Sequence, residues 1–436
     1  MTRRTQQNLV RTLTRRRLLQ ASLVGTGSLL SYGLSPSVRA NQAQYSGTLL
    51  VTLQLEGGVD VTQLCDPKVN TPGERKINHW ADSKDPQQAG NISYAPVAFN
   101  ERLFTSFGAD TLVINGVDAQ TNSHDTGKLY NFTGTNSETK PCLSALHAAA
   151  VAPDSPLSYV VFGGTTKTRG LISFSRFDDL SMMKAIARPN VTAWGNVKRR
   201  SGLDVAENYI DTNTNALLEI DSLTPRQRAS LLNLHESRMR RSALEALAEV
   251  MPSDGDLQPP GLKEQMQGAL IAFKSGLTST ADLDLMGFDS HTDNDIEQEP
   301  LLEKLTEGIE FFWSYAEQLG LSDRILLVIG TDFGRTNFYN EGNGKDHWPI
   351  GSFMIMQKNA PWGNRIVGAT DELHYVRPIN PTTLQRDPTG VVITPAHVHR
   401  ALQEYLGISG FADSTGFSLS EVPLLPIFDK NLQTDA

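Results

Sequence analysis

Cysteine is nearly absent: two in 436 residues, Cys65 and Cys142. Two thiols cannot supply a zinc-finger ligand set. They either pair as a disulfide outside the cytoplasm or stand as unrelated thiols. No Gly-x-Ser-x-Gly elbow occurs, because Ser123 is flanked by Asn122 and His124. That argues against a serine hydrolase built on such a turn. No internal repeat and no long low-complexity segment breaks the chain. Residues 1–40 contain no Asp, Glu or Lys, but seven arginines at positions 3, 4, 11, 15, 16, 17 and 39.

Within that segment, Thr14-Arg15-Arg16-Arg17-Leu18-Leu19-Gln20 reads as a twin-arginine export signal. The stretch Leu18 to Leu34 is mildly apolar and diluted by Gly25, Gly27 and Gly33. It is too short and too polar for a stable membrane span, which needs about 20 apolar residues. Val38-Arg39-Ala40 ends it with a plausible cleavage site. The alternative is a basic, unstructured tail. As an export signal, it predicts a mature protein outside the cytoplasm, periplasmic or extracellular. The export machinery is then a partner, and no stable membrane span remains after cleavage.

The whole chain carries a formal charge of −9. Without the seven arginines, 32 basic residues face 48 acidic ones, a net of −16. Nucleic-acid affinity comes largely from Lys and Arg on phosphates, so no nucleic-acid partner is expected.

Residues 41–430 suit one large α/β domain. Apolar, β-rich runs at 47–55, 111–115, 157–162, 283–288, 325–329 and 353–356 predict strands. Between the last strands, Leu302, Leu305, Ile309, Phe312, Ala316 and Leu319 step by three or four. That spacing predicts a helix over 300–319, with Pro300 in its first turn and Gly320 as its C-terminal cap. Strand, helix and strand in sequence imply parallel pairing through a helical crossover. Residues 200–280 read as a mainly helical insertion or cap, with a long pattern at 224–250 and a second helix at 262–274.

Four segments share one grammar, in which an apolar strand runs into small and then ionisable residues. They are Gly57-Gly58-Val59-Asp60, Asn122-Ser123-His124-Asp125, Gly287-Phe288-Asp289-Ser290-His291, and Thr331-Asp332-Phe333-Gly334-Arg335 followed by Asp346-His347. In a mainly parallel sheet these strand ends lie on one edge, where ligands bind. Carboxylates and imidazoles there suit zinc, manganese, magnesium or calcium. Each residue also has a plain reading. Asp60 could be a turn residue, Ser123 an N-cap, Asp289 a cap and His291 a surface histidine. Asp332 could pair with Arg335, and His347 could pack beside Trp348. Asp289 and His291, two apart, would face one side of a strand. The histidines at 79, 147, 235, 374, 397 and 399 lack this context.

These blocks give the chain its resemblance to a known family. LLVTLQLEGGVD, NSHDTGKLYNFTG and GFDSH followed by LLEKLTEGIEFFWSYAEQLGLSDRILLVIGTDFGR and GKDH resemble the DUF1501 proteins. That family is related to the alkaline phosphatase/sulfatase superfamily. The resemblance implies an alkaline-phosphatase-like fold: a mostly parallel sheet, helices on both faces, and a metal-dependent hydrolase of phosphate or sulfate esters. It implies Asp60, Asp289, His291, Asp332 and His347 as metal ligands and Ser123 as nucleophile. Arg335 or Lys128 would hold an anionic small-molecule or polysaccharide ester. The chain departs from the superfamily pattern at Phe333, where a histidine is expected after Asp332. Asp346 or His124 would then replace the missing ligand. The competing expectation is a non-catalytic envelope or secreted binding or assembly protein on the same fold.

Overall fold

The computed structural model describes residues 45–188, 203–220, 222–224, 227–228, 230–231 and 244–432. The proposed export signal and most of the 224–250 helical pattern, with His235, lie outside the described residues. Tyr45–Ala436 form one compact unit.

Eight strands make the main sheet. In chain order they are β1 Leu49–Glu56, β2 Thr111–Asp118, β3 Tyr159–Val161, β4 Ser175–Arg176, β5 Thr280–Met286, β6 Ile325–Thr331, β7 Ile350–Met356 and β8 Arg365–Val367. Their spatial order is β8-β2-β7-β6-β1-β5-β3-β4. Only β7 runs antiparallel to its neighbours, β2 and β6; every other pairing is parallel. The mixed α/β, mostly parallel architecture expected from the sequence is the one observed.

β1 lies at the centre, with Leu53 opposite both Leu283 of β5 and Ile329 of β6. All eight of its residues are buried. That explains its near-continuous apolar sequence, since helices cover both faces. On one face Val51, Leu53 and Leu55 pack with helices α3 (Leu262–Lys274) and α4 (Asn294–Leu319). On the other, Leu50, Leu326 and Val328 pack with α2 (Leu143–Val151) and α5 (Pro395–Tyr405). At about 25 cal/mol per Å² of apolar surface, these two layers supply the main folding drive.

Two expectations need correction, and one left open is decided. The helix at 300–319 begins six residues earlier, at Asn294, and Pro300 lies inside it. The apolar stepping extends only where the helix packs on the core. Its exposed first turns, with Ile296 at 74 % exposure, carry no such pattern. Residues 262–274 are not a cap: Met266, Leu270 and Ile271 are fully buried in the core beside the sheet. The two cysteines are free and buried, each in a different apolar cluster. Burial pushes Cys65 up to about 12 and Cys142 to about 11.

Candidate metal centre

The carboxyl ends of β1, β2, β5 and β6 lie on one edge of the sheet. Because β7 is antiparallel, its start lies on that edge too. A residue just before β7 therefore meets residues just after the others. This is how His347 reaches the set supplied by the ends of β2, β5 and β6.

His124, Asp289 and His347 bring donor atoms within 4.8 Å of one another there, and the His291 ring lies against the latter two. His347 Nε2 lies 3.1 Å from His124 Nε2 and 3.0 Å from His291 Nε2. Asp289 Oδ1 lies 3.5 Å from His124 Nε2, 3.1 Å from His291 Nε2 and 3.2 Å from His347 Nε2. Each ring is anchored through its other nitrogen. His124 Nδ1 meets Asp332 Oδ2 at 2.5 Å, and His291 Nδ1 meets Asp346 Oδ1 at 2.8 Å. His347 Nδ1 meets the Asn122 carbonyl at 2.7 Å. A carbonyl or carboxylate only accepts, so each Nδ1 carries the proton and a neutral ring presents a bare lone pair at Nε2.

In that neutral form the His347 Nε2 lone pair faces those of His124 and His291, and such lone pairs cannot satisfy one another. A cation among them can. A zinc centre with bonds of about 2.0–2.1 Å has tetrahedral donor–donor edges of about 3.3–3.4 Å. The three pairs among His124 Nε2, Asp289 Oδ1 and His347 Nε2, at 3.1, 3.5 and 3.2 Å, bracket that spacing and make these residues the candidate ligand set, with His291 Nε2 bordering it through His347 and Asp289. Anchoring each ligating imidazole through its second nitrogen is also what metal sites do. The donor set therefore fits a divalent ion. Imidazole nitrogens favour zinc over calcium or magnesium, which prefer oxygen.

The chain holds these groups by close backbone approaches. Helix α1 (His124–Thr133) starts at His124, with Ser123 as N-cap. A Cβ on Gly127 would stand 2.5 Å from the Asp332 carbonyl oxygen. Only glycine lets α1 reach the end of β6. Gly57, at φ +116, donates its N–H to Asp332 at 3.1 Å. Phe333 is buried, and its ring lies 4.7 Å from the His124 and His347 rings. Where a histidine was expected, an aromatic wall backs two imidazoles.

The electrostatics follow the contacts. The Asp332 hydrogen bond raises His124 above its ordinary value. Burial acts to raise Asp289, but the Arg335 hydrogen bond and charge outweigh it and bring the carboxyl down to about 2. The His291 hydrogen bond lowers Asp346.

Of the expected ligands, His124, Asp289 and His347 turn donor atoms toward one point, and His291 borders it against His347 and Asp289. Asp332 and Asp346 sit behind the rings as anchors. Asp60 is elsewhere, fully buried and paired with Lys345 Nζ at 2.7 Å. Asp289 and His291 lie in the loop after β5, not on a strand, because β5 ends at Met286. Arg335 is not a free anion clamp. Its guanidinium is fully buried and donates to the carbonyls of Gly57, Gly58 and Lys345 and to Asp289 Oδ1 at 2.6 Å. Lys128 pairs with Glu56. Ser123 is exposed, and its hydroxyl makes no hydrogen bond among the described residues.

Sequence reading missed the Asn122 carbonyl, which leaves no side-chain signal, and Lys345, which reads as a solvated lysine beside Asp346. His79 plays a structural part, meeting Asp295 Oδ2 at 3.0 Å and stacking on Tyr339.

A family model matches part of the chain. Residues 187–389 match the model of the DUF1501 family. Its model is described as a protein of unknown function. The DUF1501 match includes Asp289, His291, Asp332, Asp346 and His347; Asp60 and the 122–128 block lie before it. No curated protein matches. Among solved structures, a complex with the substrate D-glucosamine-2-N,6-O-disulfate is 12% identical, with 90% of this chain and 82% of that one covered, at a TM-score of 0.35. TAB5 alkaline phosphatase, a mutant with magnesium bound, is 11% identical over 73% and 94%, at 0.32. The phosphonate monoester hydrolase of Agrobacterium radiobacter is 11% identical over 82% and 74%, at 0.31. At these TM-scores nothing about the site is carried over from them to the DUF1501 region.

Proposed function

We propose that the chain is an exported, metal-dependent hydrolase of phosphate or sulfate esters. The observation that carries the metal reading is the convergence of His124 and His347 Nε2 with Asp289 Oδ1, each ring fixed through Nδ1 and His291 alongside. The ester class rests on the sequence resemblance described above. When bound, a divalent ion supplies positive charge that lowers the pKa of a hydroxyl or water and offsets charge on ester oxygens.

The chain's own groups have separate tasks. Asp332, Asp346 and the Asn122 carbonyl hold protons on Nδ1. Arg335 holds Asp289 in place and keeps it ionised. Ser123, with an unengaged hydroxyl at the start of α1, is the candidate attacking oxygen. The N–H groups of the first turn of α1 favour an anion beside it. Lys128 keeps donor capacity beyond Glu56 and remains the side-chain candidate for holding the ester anion.

Elemental analysis of the purified protein, with turnover of aryl phosphates and aryl sulfates, tests this. We expect bound zinc or manganese, and a Ser123→Ala variant that keeps the metal but loses at least about 100-fold in turnover. A protein that takes up no metal under any loading condition would remove the hydrolase reading. Export is tested by fractionating cells that express an Arg15→Lys/Arg16→Lys variant. Retention of that variant in the cytoplasm supports the twin-arginine route, and unchanged export refutes it.

A further inference from the structure

The seven acids and histidines at this sheet edge do not form one set. Asp60 is the exception, and its surroundings explain why. Its carboxylate is fully buried. Oδ1 accepts from the Thr62 N–H at 3.1 Å and the Thr62 hydroxyl at 2.6 Å. Oδ2 accepts from Asn294 Nδ2 at 3.0 Å and Lys345 Nζ at 2.7 Å. An ionised carboxylate offers about four acceptor positions. All four are taken by protein donors.

Lys345 is equally committed. Its ammonium is fully buried. Beyond Asp60 it contacts Thr62 Oγ1 at 3.2 Å and Asn78 Oδ1 at 3.4 Å, and it lies 5.0 Å from the centre of the Tyr339 ring. Three oxygens and an aromatic face make a cage suited to a cation, and the cation present is covalently tethered. A buried carboxylate needs such a partner, since an uncompensated charge in the interior is strongly unfavourable.

We infer that Lys345 is the built-in counter-cation of Asp60, so that Asp60 binds no metal and the chain takes one divalent ion rather than two. This rests on the metal-centre reading above. The ion is held by His124, Asp289 and His347, with His291 beside them. The backbone of Lys345 also braces that centre: its N–H donates to the Ser290 carbonyl at 3.0 Å, and its carbonyl accepts from Arg335 Nη1 at 3.0 Å. Those bonds survive a change of side chain.

The test is metal stoichiometry and affinity, read with zinc and manganese separately, on the full-length protein and on an Asp60→Asn/Lys345→Met variant. The variant removes both charges together, so neither is left buried without a partner. We expect one equivalent in both proteins, with affinities within about tenfold. A loss of more than about tenfold in the variant would make Asp60 a ligand and overturn the assignment. Should the variant not fold, the unmodified protein still decides: one equivalent supports the inference and two overturn it. A protein that binds no metal at all removes the metal-centre reading itself, which distinguishes the two failures.

Discussion

Replacing Asp332 with asparagine should weaken the metal centre without emptying it. Asp332 touches no donor point. It holds His124 Nδ1 at 2.5 Å and accepts the Gly57 N–H and the Thr331 hydroxyl on its other oxygen. Asparagine has nearly the same shape but only one acceptor oxygen. It can keep either the His124 proton or the Gly57 and Thr331 donors, and its amide N–H₂ then faces a donor. Loss of such an anchor costs about 10–100-fold in metal affinity, which is about 1.4–2.7 kcal/mol. Leaving a buried donor unpaired costs about 1–3 kcal/mol of folding stability as well.

Competition against a chelator of known affinity measures the first quantity, and urea unfolding with and without metal measures the second. The stoichiometry should stay at one, because His124, Asp289, His291 and His347 are all still present. His347→Ala is the comparison: it removes a donor atom and should lose affinity by more than the Asp332 variant. Two results would refute the reasoning. If Asp332→Asn abolishes metal binding while His347→Ala keeps it, Asp332 is a ligand and the anchor assignment is wrong. If Asp332→Asn changes neither affinity nor stability, the short contact with His124 has no energetic consequence.

Two further perturbations probe the scaffold. Gly127→Ala places a methyl 2.5 Å from the Asp332 carbonyl, so α1 or the end of β6 must shift; we expect a loss of about 1–3 kcal/mol in denaturant unfolding, and an unchanged midpoint would contradict the close approach. Asp282, fully buried in β5, is held by the Thr52, Ser144 and Tyr159 hydroxyls, and burial raises its carboxyl to about 6 from an ordinary 3.8. Below pH 3.8 it is protonated in both states; between there and about 6 the unfolded chain ionises first, so its contribution to stability falls as pH rises and levels off above. The span is roughly 2 pKa units, or about 3 kcal/mol. Relative to the unmodified protein, Asp282→Asn should therefore gain up to about 3 kcal/mol between pH 4 and pH 7, whatever constant offset its altered hydrogen bonds bring. Parallel unfolding curves at the two pH values would rule this out.

What the sequence reveals here depends on which contacts leave a mark in residue type. The strand ends are legible because a run such as Ile325–Ile329 is apolar on both faces and then stops at an acid. The convergence of those ends is legible because parallel strands align their carboxyl edges. The division of labour within the edge is not. Asp289, Asp332 and Asp346 are the same residue type, yet one faces the donor point and two stand behind rings. Only the side-chain direction separates them. Asp60 reads like a ligand because the cation that occupies it comes from residue 345, a lysine 285 positions away with no local cue. Phe333 looked like a missing ligand because the pattern was read in one stretch. In space the third imidazole comes from His124, at the start of a helix that only Gly127 allows to approach. A departure from pattern at one strand end is therefore no evidence for an incomplete site. It shifts the question to which other strand end can reach, and here the order β2-β7-β6-β1-β5 supplies the answer, with the one antiparallel strand turning His347 back to the same edge.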